Sequence, residues 1–315
     1  MQYRHYTQKD ETAVVELWNR CCVFDALNAA KFRRQAILDD NFDAELSWLA
    51  IDEESDNKLV GFIYGTHRKF PYLERGLEPE KGWINVMFVD ASYRGRGIGG
   101  ALLSKCEDAL CALGVKEIIL GAYSPNYFFW GVDTGNYREA VQFFEDKGYV
   151  EVSEHYSMCK DLHGYQIPEA IEKKKREAEK AGYRFIPFDY SYTLDLLEFL
   201  RDEFGGGWKR NALQAMQKGI AEDVLIIAID KDNNICGCCN RAIDGNPMRF
   251  GPIGIAKAHR NAGIGTVLLD YALYEMSKKG IYHMFFVTTD EPGRRYYERQ
   301  GLKVFRTFSE YRKEI

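Results

Sequence analysis

The hydrophobic pattern of this chain repeats itself. The apolar run "WINVMFV" precedes a glycine-rich loop at residues 93–100, and "RFGPIGI" precedes a similar loop at residues 259–266. Each loop leads into a helical run, "GIGGALLSKCEDALCALG" or "GIGTVLLDYALYEMSKKG", which ends at a glycine suited to a helix C-cap. A strand, a short helix and an aromatic-rich final strand then follow in both halves. The pattern therefore predicts two copies of one α+β domain.

The segments before the two loops also correspond. Both halves begin with a candidate strand, "QYRHYT" or "YRFIPFDYSY", and a helical run, "ETAVVELWNRC" or "TLDLLEFLRDEF". Two strand-like runs follow in each half. Between the halves, "IPEAIEKKKREAEKAG" has Pro168 at a helix start and Gly182 at its end, with a thin apolar stripe typical of a surface helix. We predict a first domain at residues 1–160, a linker helix at 161–182 and a second domain at 183–315.

Composition places the chain in a broad class. It has 315 residues, 46% of them hydrophobic and 28% charged, as expected of a globular protein with two cores. No apolar run is long enough to span a bilayer, and the first residues do not resemble a signal peptide. Together with eight cysteines, these features predict a cytoplasmic protein with reduced thiols and no membrane partner. The net charge of −5 argues against nucleic acid as a partner, and we expect a monomer or homodimer.

The two glycine-rich loops share a pattern of arginine and glycine. Arg94, Gly97 and Gly99 recur at the same spacing in the second loop as an arginine and two glycines. Successive N–H groups at a helix N-terminus bind phosphates, and glycine lets the backbone approach them closely. The first loop also matches the G-x-G-x-x-G of dinucleotide-binding enzymes, but in the second copy Gly263 and Gly265 are followed by Leu268 where this pattern needs its third glycine. An oxidoreductase is therefore a distant alternative.

Both halves resemble the GNAT superfamily of acyl-CoA-dependent N-acyltransferases, in which R/Q-x-x-G-x-G/A joins a strand to a helix. The resemblance implies an α+β (α/β) fold of two tandem domains, each a mixed, mostly antiparallel sheet flanked by helices. It also implies that both loops bind the pyrophosphate of acetyl-CoA, without a metal. The implied residues are Phe88, Val89, Arg94, Arg96, Gly97, Ile98, Gly99 and Gly100 in the first half, and Gly254, Ile255, Arg260, Ala262, Gly263, Ile264, Gly265 and Thr266 in the second.

The catalytic acid is predicted from the last helix of each half. Family members commonly carry a tyrosine four residues before the glycine that ends this helix, where it protonates the leaving thiolate. This position holds Tyr297 in the second half and Phe144, which has no proton to give, in the first. The resemblance therefore implies that Tyr297 is the general acid and that catalysis lies mainly in the C-terminal half. Two alternatives stay open: Tyr297 packs its helix onto the sheet, or the first half uses Tyr137, Tyr123 or Tyr127.

The general base is not evident. The strand before the second loop has no acid, and the strand before the first offers only Asn85. His283, Asp290 and a chain of water molecules are the candidates in the second half. The oxyanion contact is expected from the backbone at residues 254–255.

Trp208 is the candidate acceptor-binding residue. It lies in "FGGGWKRN", a region that covers the acceptor site in this family, and forms either a mobile aromatic lid or a packing anchor. The cysteines of "CGCC" lie on a predicted strand with no second Cys or His pair at zinc spacing, so we interpret them as packing thiols. The aromatic insertion "PNYFFWGVDTGNY" in the first half is expected to pack on its own domain, on the other domain or on an acceptor.

These features predict an N-acetyltransferase that moves acetyl from acetyl-CoA to a primary amine of a small molecule. A protein or peptide N-acyltransferase is one alternative. A non-catalytic acyl-CoA sensor or scaffold is another.

Overall fold

The computed structural model describes residues Met1–Ile315, which form two compact units. The N-terminal unit contains Met1–His155 and Arg306–Ile315, and the C-terminal unit contains Tyr156–Phe305. No helix combines the length and apolar character that crossing a membrane requires. The division predicted from the sequence placed the last residues of the chain in the second domain, whereas the compact units place them in the first.

The sheet of the N-terminal unit is built from consecutive strands. They are β1 (Gln2–His5), β2 (Ser47–Asp52), β3 (Lys58–His67), β4 (Lys81–Val89), β5 (Glu117–Leu120), the short β6 (Val132–Asp133) and the first part of β7 (Val150–Asp161). Strands β1 to β4 pair antiparallel with their neighbours, and β4 pairs parallel with β5. This mixed, mostly antiparallel order confirms the predicted sheet type.

Helices cover both faces of this sheet. They are α1 (Glu11–Cys21), α2 (Ala29–Phe32), α3 (Ile98–Ala112) and α4 (Arg138–Asp146). Trp18 of α1 and Phe32 of α2 pack with Phe62 and Phe88 on one face. The opposite face packs α3 and α4 onto the strands through a second core that includes Leu102. Each face buries the apolar side of its helices, as the 3.6-residue pattern predicts.

The end of the chain completes the N-terminal unit. Strand β13 (Lys303–Glu314) pairs antiparallel with β5, with Arg312 opposite Ile119. Tyr311 is 1% exposed and lies in the same core as α3 and α4. Strand pairing between such distant segments leaves no local pattern, so the sequence did not show it.

The C-terminal unit has a four-stranded antiparallel sheet with the order β11-β10-β9-β8. Its strands are β8 (Arg184–Pro187), β9 (Leu225–Ile229), β10 (Ile235–Arg241) and β11 (Phe250–Ile255). A further strand, β12 (His283–Phe286), pairs with the part of β7 that belongs to this unit. Its helices are α5 (Glu169–Lys180), α6 (Thr193–Phe204), α7 (Gly206–Gln217), α8 (Ala221–Val224), α9 (Ile264–Lys278) and α10 (Glu291–Arg299).

The sequence pattern did not indicate the surroundings of two helices of this unit, α5 and α7. The predicted linker helix, α5, packs against α9, and Ala178 is buried in the core of the unit. The glycine-rich stretch around Trp208 begins a regular helix, α7, directly after α6 ends at Phe204. Gly205 between them has φ +90°, a left-handed turn that glycine adopts easily. The tandem α+β fold itself is confirmed.

Candidate functional site

The two glycine-rich loops have nearly the same backbone conformation. Gly97 precedes α3 with φ +81° and Gly263 precedes α9 with φ +76°. Two residues earlier, Gly95 has φ +73° and Asn261 has φ +66°. Asparagine is among the few other residues that tolerate this region, so the sequence difference between the loops leaves their shape intact.

The first arginine of each loop is anchored in the same way. Nε of Arg94 donates to the carbonyl of Val89 at 3.3 Å, and Nε of Arg260 donates to the carbonyl of Ile255 at 3.3 Å. Arg94 also pairs with Glu139 at 2.8 Å. In both units this contact fixes the loop against the end of the preceding strand, and the helix that follows presents its N-terminus, where anions bind.

In the N-terminal unit, β4 and β5 separate halfway along β4. Their parallel pairing runs from Lys81 opposite Glu117 to Ile84 opposite Leu120. Gly121 (φ +68°) and Ala122 (φ +53°) then turn the chain away from β4. Residues 85–89 of β4 therefore keep β3 on one side and have an open backbone edge on the other.

A cleft of about 890 Å³ opens at this free edge. One wall is the edge of β4 and the glycine loop with the start of α3, and the other is residues 131–144, around β6 and α4. Residues 20–24, at the end of α1, line it as well. The cofactor-binding residues predicted in the first half, except Arg96, all line this one cleft: Phe88, Val89, Arg94, Gly97, Ile98, Gly99 and Gly100.

The aromatic insertion of the first half packs on its own unit. Phe128 and Phe129 lie against Trp18 of α1, at ring distances of 4.9 and 5.8 Å. Phe129 also lines the cleft. The insertion thereby closes the cleft on the side of α1.

A cluster of charged side chains holds the wall opposite β4. The guanidinium of Arg306 donates to both oxygens of Asp25 at 2.5 and 2.9 Å and to Asp133 at 2.7 Å. The hydroxyl of Tyr137 donates to Asp25 at 2.8 Å. Burial, and then this hydrogen bond, raise the pKa of Tyr137 well above its ordinary value. Arg306 thereby joins Asp25, after α1, to Asp133 of β6.

Asn85 lies where β4 and β5 separate. The strand has a bulge between Ile84 and Val86, so Asn85 has no direct partner on β3. Its side chain is 2% exposed, Nδ2 donates to Thr66 at 2.6 Å, and Oδ1 has no hydrogen-bond partner. The side-chain oxygen of Asn85 is thus left unpaired beside this bulge, at the inner end of the cleft.

The corresponding strand of the C-terminal unit is covered. A Cβ placed on Gly254 would lie 2.5 Å from the ring of Phe204 and 3.1 Å from the indole of Trp208. These two rings stack at 4.2 Å with an angle of 17°. Trp208 therefore packs on β11 from helix α7.

The residues considered for the acid and base roles lie in different surroundings. Tyr297 is half-buried, with its ring 4.7 Å from Phe286, and burial raises the pKa of its phenol. Phe144, its counterpart, is buried beside the cleft. Asp290 caps α10 through a hydrogen bond to Gly293, and the side chain of His283 is exposed. None of this tests the acid or base roles predicted for the C-terminal half.

The cysteines of β10 are buried strand residues. Burial raises the pKa of Cys236, Cys238 and Cys239. No group of three or more His, Cys, Asp or Glu side chains is arranged to hold a metal ion.

Comparison with known proteins identifies the class. The model of the acetyltransferase (GNAT) family matches residues 11–129 and 193–302, one region in each half. An acetyltransferase of Pectobacterium atrosepticum is 31% identical over 126 residues, which cover 40% of this chain and 79% of the relative. An acetyltransferase of Sodalis glossinidius is likewise 31% identical over 126 residues and is covered to 78%.

Solved structures share the tandem fold. A GCN5-related glucosamine N-acetyltransferase region of a fungal multi-domain β-N-acetylglucosaminidase matches 99% of this chain with a TM-score of 0.79 and 21% identity, and this chain spans 38% of that one. A GCN5-related N-acetyltransferase from Sphaerobacter thermophilus matches 99% of this chain and 95% of its own, with a TM-score of 0.71 and 17% identity. A tandem GNAT protein from the clavulanic acid biosynthesis pathway has a TM-score of 0.64 and 14% identity over 99% of this chain and 98% of its own. This chain belongs to the acetyltransferase (GNAT) family, a family that uses acetyl-CoA, and carries two copies of its domain.

The packing of Trp208 gives a first testable prediction. Trp208→Ala should lower the free energy of unfolding of the C-terminal unit by about 2 kcal/mol, because it removes a half-buried ring stacked on Phe204. Trp208→Phe keeps an aromatic ring there and serves as the control. Urea unfolding measures the change in the free energy of unfolding, and hydrogen exchange assigns this change to the C-terminal unit. A raised acceptor KM with unchanged stability would instead support the lid interpretation.

Proposed function

We propose that this protein is an N-acetyltransferase that transfers acetyl from acetyl-CoA to a primary amine of a small molecule in the cleft of the N-terminal unit. The observation that carries the proposal is the open edge of β4 at residues 85–89, which leads from the glycine loop to the inner end of the cleft. The location differs from the expectation based on the sequence, which favoured the C-terminal half.

The residues of this cleft fit acetyl-CoA. Added Cβ atoms at Gly95 and Gly97 would meet no other atom within 4 Å, so the backbone of the loop is open to a pyrophosphate. The unpaired edge of β4 offers N–H and C=O groups to an extended amide chain such as pantetheine. When bound, acetyl-CoA supplies the activated acetyl group.

The size and shape of the cleft support a small acceptor. A volume of about 890 Å³ lies within the range of small-ligand sites, and the packed insertion closes one side. Charges of both signs line the cleft, with Arg20, Arg94 and Arg138 beside Asp133 and Glu139.

Coverage of Gly254 in the C-terminal unit also favours this location. Phe204 and Trp208 occupy the space above the strand that precedes the second loop. An acceptor in that unit would have to displace two stacked rings, whereas the N-terminal cleft is already open.

The experiment is a panel of amines with detection of released thiol. We expect thiol release with acetyl-CoA and one or more small primary amines, and mass spectrometry should find the acetylated amine. Glucosamine belongs in the panel because one structural neighbour is a glucosamine N-acetyltransferase region. Acetyl-CoA binding without thiol release across the panel would favour a sensor, and acetylation only of peptides would favour the protein-directed alternative.

The two candidate locations predict opposite results for Tyr297. If transfer takes place in the N-terminal cleft, Tyr297→Phe should leave kcat within about 3-fold of wild type, because the ring and its packing are kept. If Tyr297 is the general acid, kcat should fall by about 10²- to 10⁴-fold. Steady-state kinetics with the best amine of the panel separates the two.

A further inference from the structure

A chain of three side chains ends at the cleft of the N-terminal unit. Tyr137 lines the cleft just before α4, and its Oη lies 2.8 Å from Oδ2 of Asp25. Asp25 in turn accepts hydrogen bonds from Nη1 and Nη2 of Arg306. An ionised carboxylate only accepts, so the hydroxyl hydrogen of Tyr137 lies between Tyr137 and Asp25. The backbone of Phe24 also hydrogen-bonds to Oη, so one lone pair of Oη is left for a donor in the cleft.

The third residue, Arg306, is held from two sides. Its Nε donates to Asp133, whose oxygens also accept from the backbone of residues 135 and 136 and from the side chain of Asn136. Both carboxylate oxygens of Asp133 are therefore occupied by the turn at residues 135–136 and by the guanidinium of Arg306. Arg306 and Asp25 are each 15% exposed, so their pairing is shielded from solvent and has one geometry.

We propose that Tyr137 and Asp25 relay the proton of the acceptor amine to the leaving thiol, and that Arg306 positions this relay. The proposal rests on the proposed function, acetyl transfer in this cleft. The amine reacts as its free base. As its nitrogen forms a bond to the acetyl carbon, the π pair of the carbonyl moves to oxygen, and it re-forms the carbonyl when sulfur leaves. In the same addition step, Tyr137 Oη takes a proton from nitrogen and passes its own proton to Asp25 Oδ2.

The return step completes the balance. As the carbon–sulfur bond breaks, its electron pair goes to sulfur; Asp25 returns the proton to Tyr137, and Tyr137 gives one to sulfur. Nitrogen has then lost one proton and sulfur has gained one, and both side chains are restored. A thiolate is in general a stronger base than a carboxylate, so this return is favourable.

The surroundings favour transfer in both directions without a charged tyrosine. The titratable and charged groups that face the Tyr137 hydroxyl are Asp25 and Cys22, after α1, with Arg306 and Asp133 behind Asp25. Burial and the neighbouring carboxylate disfavour tyrosinate.

The first test removes the hydroxyl alone. Tyr137→Phe should lower kcat by about 10²- to 10⁴-fold, with the Kd for acetyl-CoA within about 3-fold of wild type by calorimetry. Binding of the acceptor amine to the CoA-loaded protein should weaken by about 2- to 10-fold, because one hydrogen-bond acceptor is lost. Wild-type kcat in Tyr137→Phe would overturn the relay.

A matched control exists in the same unit. Tyr149 donates to Glu107 at 2.9 Å, and Glu107 pairs with Lys313, the same arrangement of phenol, carboxylate and cation. Tyr149 is buried and does not line the cleft. Tyr149→Phe should therefore lower stability slightly and leave kcat unchanged. An equal loss of kcat in both variants would show a structural effect rather than a relay.

Combined variants test whether Tyr137, Asp25 and Arg306 act together. Asp25→Asn should lower kcat about as much as Tyr137→Phe, and the double variant should be no slower than the slower single variant. Arg306→Lys keeps a cation and should retain more activity than Arg306→Met at equal thermal stability. Additive losses would contradict the relay. Absence of turnover in the wild-type protein with every amine would instead contradict the proposed function.

Discussion

Gly97→Asp should weaken acetyl-CoA binding by about 5- to 700-fold and lower turnover in proportion. The residue lies at the N-terminus of α3 with φ +81°, and its Cβ position is open. An aspartate there would bring a negative charge close to the pyrophosphate. Like charges at about 4 Å repel by about 1–4 kcal/mol, depending on the surrounding dielectric, and each 1.4 kcal/mol is about tenfold in affinity.

The matched control is Gly97→Asn. Asparagine has the same shape as aspartate and tolerates positive φ, as Asn261 does in the second loop. It should keep acetyl-CoA affinity within a few-fold of wild type. Equal losses in both variants would show that backbone strain, rather than charge, is responsible.

The same pair of substitutions at Gly263 locates the reaction. Gly263→Asp should leave turnover intact if acetyl transfer takes place in the N-terminal cleft. Calorimetry of each variant reports how many sites the chain has, and so tests the prediction that the second loop also binds coenzyme A. Turnover that survives Gly97→Asp and is lost in Gly263→Asp would move the reaction to the C-terminal unit.

Local patterns predicted the elements of this protein well. The run "KLVGFIYGTH" is β3 from its first residue to its last, and the two glycine loops begin α3 and α9 as the repeat indicates. Strand alternation, helix periodicity and glycine at positive φ are properties of neighbouring residues. A single sequence therefore carries enough information to find them.

The candidate site depends on contacts that no local pattern shows. The cleft exists because β5 turns away from β4 after Leu120, and the corresponding strand is covered because Gly254 leaves room for Phe204 and Trp208. The pairing of Asp25 with Arg306 joins positions that are 281 residues apart. The alignment of the halves compared Tyr297 with Phe144, but it contained no information on which half has the open cleft.

Tyr311→Ala should destabilise the N-terminal unit by about 3–5 kcal/mol, although residue 311 lies near the end of the chain. Its ring is 1% exposed and packs in the core beneath α3 and α4, and its loss leaves a large cavity. Tyr311→Phe removes only the hydroxyl that donates to Glu145 at 3.1 Å and should cost about 1 kcal/mol.

Leu302→Ala, only a few residues earlier, provides the opposite case. Leu302 is 3% exposed in the core of the C-terminal unit, so its loss should destabilise that unit by about 2–5 kcal/mol and leave the other unchanged. Urea unfolding separates the two, because four of the five tryptophans lie in the N-terminal unit and report its unfolding by fluorescence. Hydrogen exchange then assigns each change to its unit. If Tyr311→Ala instead raised exchange only in residues 156–305, the end of the chain would belong energetically to the C-terminal unit, as the sequence-based division assumed. The stability of the cleft wall at Arg306 would then not depend on the packing of the rest of β13.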